Sequence, residues 1–208
     1  MILGVIPARL NSTRFPNKIL YPLNGKPVID HVFNRAKQSS LLDNVIVAVD
    51  SEKTLESIDC SSVIMTSDSH QSGTDRVAEV ADKFDCDIVV NIQGDEPGIE
   101  PYLIDNLISL FDNPNVEMAS VASTDLRDED FANDNVVKVN LNKENYALSF
   151  VRGNLEQSQQ YYRHVGIYAY RKKTLDLFTS LEQSLGEKKY SLEQLRALDN
   201  NIAIKLLI

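Results

Sequence analysis

What most limits the fold of this chain is a series of short apolar runs separated by segments with helical spacing. Residues 2–6 (ILGVI), 45–49 (VIVAV) and 88–92 (IVVNI) are rich in β-branched residues and almost free of polar positions. Strands covered on both faces read this way, because neither side of the pleat meets water. Between the runs, Val28, Ile29, Val32, Phe33 and Ala36 recur at helical spacing behind Pro27, a residue suited to a helix start. Val77, Ala81 and Phe84 mark a second helix, opened by Ser72-Gly73-Thr74-Asp75. Leu103, Ile104, Leu107, Ile108 and Phe111 mark a third behind Pro101, and residues 62–66 suggest one more strand. Such alternation predicts βαβ units and a mostly parallel sheet flanked by helices, an α/β fold.

Past about residue 116 the pattern changes. Residues 116–124, 136–141, 146–152 and 162–170 read as strands with little helix between them, alternating in part at Val165, Ile167 and Ala169. This predicts a smaller, antiparallel subdomain or dimerisation platform. Helices at about 173–180 and 190–198 and a strand at 202–207 complete the chain, with residues 153–160 (GNLEQSQQ) as a polar connector.

Lys+Arg 21 against Asp+Glu 30 gives a formal charge of -9. Binding to duplex nucleic acid needs a net basic surface, so that class is set aside, while a small basic pocket on an acidic body is not. Cys60 and Cys86 match no metal spacing and read as thiols of a reducing compartment. There is no basic leader before the first strand and no apolar stretch near the ~18 residues of a membrane span. The expectation is a cytoplasmic protein without a membrane partner.

In open parallel sheets ligands bind beyond the carboxyl ends of the strands. After the first strand comes PARLNSTRFPNK, in which Arg9, Arg14 and Lys18 supply charge and Ser12 and Thr13 supply hydroxyl donors. A polyphosphate needs that combination, although a solvated basic loop would look the same. It is not a Walker loop, since the glycines are missing. After the IVVNI strand comes Gln93-Gly94-Asp95-Glu96-Pro97. Its carboxylates could hold Mg²⁺, with Gly94 letting backbone approach a ligand, or the segment could be an ordinary polar turn. His70 to Arg76 caps a helix whose N-terminus could also receive base or ribose groups. Arg152, Arg163 and His164 could clamp a carboxylate, or His164 could be a satisfied structural histidine. Ser191 to Arg196 reads, on spacing alone, as a solvated helix face. No nucleophile triad is visible, and in-line displacement at phosphorus needs none.

Taken together these segments resemble the 3-deoxy-D-manno-octulosonate cytidylyltransferases, or CMP-Kdo synthetases. The matching pieces are IPARLNSTRFPNK, NGKPVIDHVFNRA, VIVAVD, MTSDSHQSGTDR, VVNIQGDEP, NVVKVNL with NYALSFVR, YRHVGIYAYR and SLEQLRAL, running from residue 6 to about 198. The resemblance implies a nucleotide-diphosphosugar-transferase-like, Rossmann-like domain with a nucleotide-binding part at about 1–115. A sugar-acid and dimerisation part would follow at about 116–198. It implies CMP transfer from CTP to a 3-deoxy-2-keto sugar acid with Mg²⁺, in a homodimer supplying lipopolysaccharide precursors. By position, Ala8, Arg9, Ser12, Thr13, Arg14 and Lys18 would hold the triphosphate, and Ser72, Gly73, Thr74 and Arg76 the cytidine. Gln93, Arg152, Arg163, His164, Tyr168, Glu193 and Gln194 would surround the sugar acid, and Asp95 would bind magnesium. Arg9, Lys18 and Asp95 would act directly in catalysis.

The family continues with a segment resembling VDTPEDL, which carries a second magnesium-binding aspartate and is not found in residues 1–208. The stretch after Arg152 is shorter than usual and lacks an Ile-Pro, and Tyr190 stands where a glutamate is customary. The rival readings are the same chemistry on 8-amino-Kdo or a sialic-acid-like ketose, and a silent nucleotide-binding homologue.

Overall fold

The computed structural model describes residues 1–10, 17–153 and 160–208. The chain forms two compact units, Met1–Ile108 and Ser109–Ile208.

The first unit runs β1 (Ile2–Ala8), β2 (Pro22–Leu23), β3 (Lys26–Pro27), α1 (Val28–Ala36), β4 (Asn44–Val49) and α2 (Glu52–Ser57). It continues with β5 (Val63–Met65), α3 (Gly73–Ala81), β6 (Ile88–Asn91) and α4 (Pro101–Ser109). Its sheet has the order β6-β1-β4-β5, every pair parallel. Leu3, Val5 and Ile6 of β1 and Val47, Ala48 and Val49 of β4 are fully buried, which is why the runs carry no polar alternation. Each such Leu, Ile or Val contributes roughly 1.5–3 kcal/mol by leaving water. β2 and β3 form a small hairpin not expected from the periodicity. Its turn is Asn24-Gly25, both at positive φ (49° and 80°), a pair suited to a tight two-residue hairpin loop.

The start of α3 is fixed by reciprocal capping. The Asp75 N–H donates to Ser72 Oγ at 3.1 Å, and the Ser72 N–H donates to Asp75 Oδ2 at 3.0 Å. Such a cap stabilises a helix by about 1 kcal/mol and sets where its first turn begins.

The second unit contains β7 (Met118–Ser123), α5 (Asp128–Phe131), β8 (Lys138–Leu141), β9 (Ala147–Val151) and β10 (Tyr162–Arg171). After these come α6 (Lys172–Ser180), α7 (Leu185–Tyr190), α8 (Gln194–Asp199) and β11 (Ile204–Leu207). β10 pairs antiparallel with β7 and β8, β8 antiparallel with β9, and β11 parallel with β7. The expected helix at 190–198 is two short helices instead. The chain turns at Ser191 (φ 52°), a left-handed conformation, and Arg196 of α8 reaches back to Glu187 of α7 at 2.7 and 2.8 Å. With side chains only 4% and 7% exposed, that pair holds the break in place. The same packing overturns the solvated-face reading: Leu192, Gln194 and Arg196 are all buried.

Among the described residues no helix is long and apolar enough to cross a membrane.

Candidate active site

In the first unit, β1 and β6 lie side by side and parallel, with Val5 opposite Asn91. Their carboxyl ends therefore deliver Arg9 and the Gln93–Glu96 turn to one edge of the sheet. Lys18 Nζ donates to Asp95 Oδ2 at 2.5 Å across 77 residues of chain. Both side chains stay open to water, at 46% and 35% exposure. An ion pair that open is worth about 0–1 kcal/mol, so either partner can exchange it for a ligand at small cost. Gly94 has a packing reason. A Cβ there would lie 3.0 Å from the Pro7 carbonyl oxygen and 2.9 Å from Ile29 Cδ1. The absent side chain lets the turn sit down on β1 and α1, and so places Asp95.

Beside this edge is a pocket of about 440 Å³ lined by Arg9, Leu10, Asp50, Ser51, Asp68 and His70. Its wall is braced from behind by α3. Asp50, the first residue after β4, accepts the Leu10 N–H at 3.2 Å, and its other oxygen faces Arg76 Nη2 at 3.4 Å. Arg76 is 1% exposed and also donates to the Ser67 carbonyl at 3.0 Å and to the Thr66 hydroxyl. Burial lowers its pKa, against the opposing pull of Asp50 and Glu79. His70 Nε2 lies 2.6 Å from Glu79 Oε2. Burial alone would raise the Glu79 pKa. Hydrogen bonds from the Ser67 N–H, His70 and Lys83 outweigh that and hold it below the usual carboxylate range.

In the second unit the chemistry gathers around a bulge in β10. The register with β7 shifts between Val165 and Tyr168, leaving the Val165 and Ile167 carbonyls near a single hydroxyl, Ser120 Oγ, at 3.3 and 2.8 Å. Ser120 Oγ also lies 2.9 Å from His164 Nε2. A hydroxyl spending its proton on a carbonyl accepts from the ring, so this network assigns the proton of His164 to Nε2. The bulge re-aims the side chains on either side of it, and His164 packs edge-on to Phe150 at 5.0 Å and beside Tyr168 at 5.5 Å. Burial, seconded by the charge of Arg152, pushes the His164 pKa down to about 3, so the ring is neutral at pH 7. Burial, seconded by Glu193, pushes the Tyr168 phenol up, so it keeps its proton as a donor. Arg152 Nη1 donates to the Asp134 carbonyl at 2.8 Å. Arg163 is 46% exposed and stands 3.9 Å from Asp130.

The sequence model of the cytidylyltransferase family matches residues 3–204. The 3-deoxy-manno-octulosonate cytidylyltransferase of Thermodesulfovibrio yellowstonii is 43% identical, over 97% of this chain and 88% of that protein. The enzyme of the same name from Chloroherpeton thalassium is 44% identical, over 98% and 87%. The chain belongs to this family. The solved structure of CMP:2-keto-3-deoxy-manno-octonic acid synthetase complexed with CTP agrees in fold, with a TM-score of 0.92 at 37% identity. The match covers 99% of this chain and 88% of that one. The α/β fold expected from the apolar runs is the fold of that synthetase.

Against that family pattern, the positions fall into groups. Ser12, Thr13 and Arg14 lie outside the described residues. Ala8 is buried at the end of β1, Arg9 lines the pocket, and Lys18 meets Asp95. Gln93 is half-buried in the turn after β6, and Glu96 is exposed there. Ser72, Gly73, Thr74 and Arg76 form the first turn of α3 and are not among the residues lining the pocket. Ser72 is used as a cap, Thr74 is buried against Asn91, and Arg76 braces Asp50. Arg152, His164 and Tyr168 are brought within electrostatic reach of one another, with Glu193 beside Tyr168. Gln194 is 5% exposed on α8. The pocket residues Asp50, Ser51 and Asp68 are additions, and His70 opens the segment already singled out before α3. Asp50 directly follows the VIVAV strand, so the carboxyl-end rule, applied to every strand, reaches it.

Proposed function

We propose that this chain transfers CMP from CTP to 3-deoxy-manno-octulosonate and releases pyrophosphate. The observation that carries the reading is the Lys18–Asp95 pair, set at the carboxyl ends of β1 and β6 beside a pocket walled by Arg9. The sugar-acid hydroxyl attacks the α-phosphorus in line, and the enzyme contributes positioning and charge rather than a covalent intermediate. Arg9 and Lys18, together with Arg14, hold the triphosphate and stabilise the leaving pyrophosphate. In the second unit Arg152 takes the sugar-acid carboxylate, with the neutral His164 and the protonated Tyr168 as directional partners. A neutral imidazole neither competes with Arg152 for the carboxylate nor repels it.

The metal we propose is Mg²⁺, held at Asp95. Among the described residues no group of three or more His, Cys, Asp or Glu could form a protein cage. One half-exposed carboxylate fits a hard ion that arrives with nucleotide phosphates and keeps several waters. When bound, such an ion neutralises developing charge and polarises phosphate oxygens. Lys18 is released from Asp95 in that state and becomes available to phosphate.

We further propose a homodimer working in the cytoplasm, where the nucleoside triphosphate pool lies. Leu148, Leu177 and Leu185, at 59%, 50% and 87% exposure, give the second unit apolar surface that a partner copy could cover.

Pyrophosphate release with CTP, offered against a panel of 3-deoxy-2-keto sugar acids and against ATP, GTP and UTP, tests the function. Turnover restricted to CTP and greatest with 3-deoxy-manno-octulosonate is expected. Faster turnover with 8-amino or nine-carbon sugar acids, or with a purine nucleotide, would replace the reading.

A further inference from the structure

Lys138 is fully buried in the middle of the second unit, at 0% exposure, which is rare for a lysine. Among the described residues no carboxylate accepts its ammonium. Nζ donates instead to two backbone carbonyls of one turn, Asn133 and Val136, each at 3.0 Å. Burial lowers its pKa, while the fields of Asp134 and Asp130 partly restore it. A buried cation held by main-chain oxygens fixes the path of the turn that supplies them: the Asn133 carbonyl also accepts the Val136 N–H at 3.2 Å, and leaving a buried carbonyl such as that of Val136 without a donor costs about 1–3 kcal/mol.

That turn touches the sugar-acid side of the enzyme at two points. The Asp134 carbonyl, between the two that Lys138 holds, accepts from Arg152 Nη1 at 2.8 Å. The Val137 carbonyl accepts the His164 N–H at 2.9 Å. Strand register ties the same residues together: Lys138 lies opposite Val151, next to Arg152, and opposite Arg163. Gly153 closes the arrangement. It sits at φ +77°, and a Cβ on it would stand 2.8 Å from Asp134 Oδ1.

We infer that Lys138 is a positioning residue for the sugar-acid site, its buried ammonium setting the Asn133–Val136 turn whose Asp134 carbonyl aims Arg152. Lys138 itself touches no substrate. The inference rests on the reading of Arg152 as the carboxylate ligand, and its test separates the two. In the purified enzyme, KM for the sugar acid, KM for CTP and kcat are measured for Lys138→Met, Arg152→Ala and the double variant. Lys138→Met should raise the sugar-acid KM roughly tenfold or more, the usual scale for a slightly misplaced ligand group. The CTP KM should stay within about twofold. In the Arg152→Ala background the Lys138→Met effect should largely vanish, since both act through one side chain.

Equal effects in both backgrounds, or a rise shared by both KM values, would overturn the inference. A sugar-acid KM unmoved by Arg152→Ala would instead remove the carboxylate-ligand reading on which it stands. Should Lys138→Met fail to fold, Gly153→Ala crowds Asp134 while leaving the ammonium in place. It should raise the sugar-acid KM in the parent and not in Arg152→Ala. An unchanged sugar-acid KM in Gly153→Ala would sink the inference by that route.

Discussion

The Lys18–Asp95 pair in residues 1–108 is loosely held, while the Arg196–Glu187 pair and Lys138 in residues 109–208 are buried and committed. Lys18 and Asp95 face each other with 46% and 35% of their side chains open to water, and Arg9 stands exposed in a pocket wall. Arg196 and Glu187 are closed off at 4% and 7%, Lys138 is spent on backbone carbonyls, and His164 is held neutral. On the proposed function, the difference matches what each half would recognise. A triphosphate with its metal carries several charges, arrives solvated and leaves as pyrophosphate, so its ligands must let go. A single carboxylate on a sugar offers one charge, so its recognition depends on a guanidinium held in a fixed direction.

That contrast can be broken most visibly at Glu187. Its removal leaves Arg196 buried against Phe178, 4.7 Å from the ring, with the Glu193 carboxylate 3.7 Å away, and should destabilise the protein by about 3 kcal/mol. Denaturant unfolding of Glu187→Ala checks it, and a loss below about 1 kcal/mol would place this pair with the loose ones.

A mid-sized effect is expected from His164 through pH. Its folded pKa of about 3 lies below the ordinary 6.5, so the unfolded chain binds a proton that the folded one refuses. The stability this contributes is present above about pH 6.5 and is lost as pH falls toward 3. The parent should therefore lose more stability on acidification than His164→Gln, by up to about 1.4 kcal/mol per pH unit. Parallel stability curves between pH 6.5 and 5 would mean that the ring titrates without hindrance.

The smallest effect sharpens the other side of the contrast. Lys83, two residues past the end of α3, pairs with Glu79 of that helix at 3.3 Å on the surface. Lys83→Ala should change stability by no more than about 0.5 kcal/mol, and adding salt should erase the difference.

How much of this was legible depended on whether a feature is local. The parallel sheet could be read because ILGVI, VIVAV and IVVNI are buried on both faces and keep no polar alternation. Ser72 and Asp75 announced the start of α3 because a capping box lies within four residues. Arg9, Lys18 and Asp95 could be placed together because the carboxyl-end rule turns strand order into proximity. What depended on contacts far apart in sequence could not be read. The resemblance implies Arg76 as a cytidine ligand, but its role of bracing the wall through Thr66, Ser67 and Asp50 rests on contacts that no local signal announces. Gln194 and Arg196 looked solvated because nothing near them in sequence signals that Glu187 turns back to meet Arg196. Lys138 sits in NVVKVNL as an ordinary polar position of a strand, and only the turn at Asn133–Val136 explains its burial.

On the proposed function, Lys18 and Asp95 face each other only until the metal nucleotide arrives. Turnover and thermal stability, measured together for Lys18→Ala and Asp95→Asn at saturating Mg²⁺ and CTP, test this most directly. Turnover is expected to be lower by on the order of 10²-fold or more in each variant. Melting temperatures are expected to stay close to the parent's, since an exposed pair adds little stability. Parent-like turnover with a lowered melting temperature would contradict this, showing the pair to be a structural clasp and placing the phosphate and metal chemistry elsewhere.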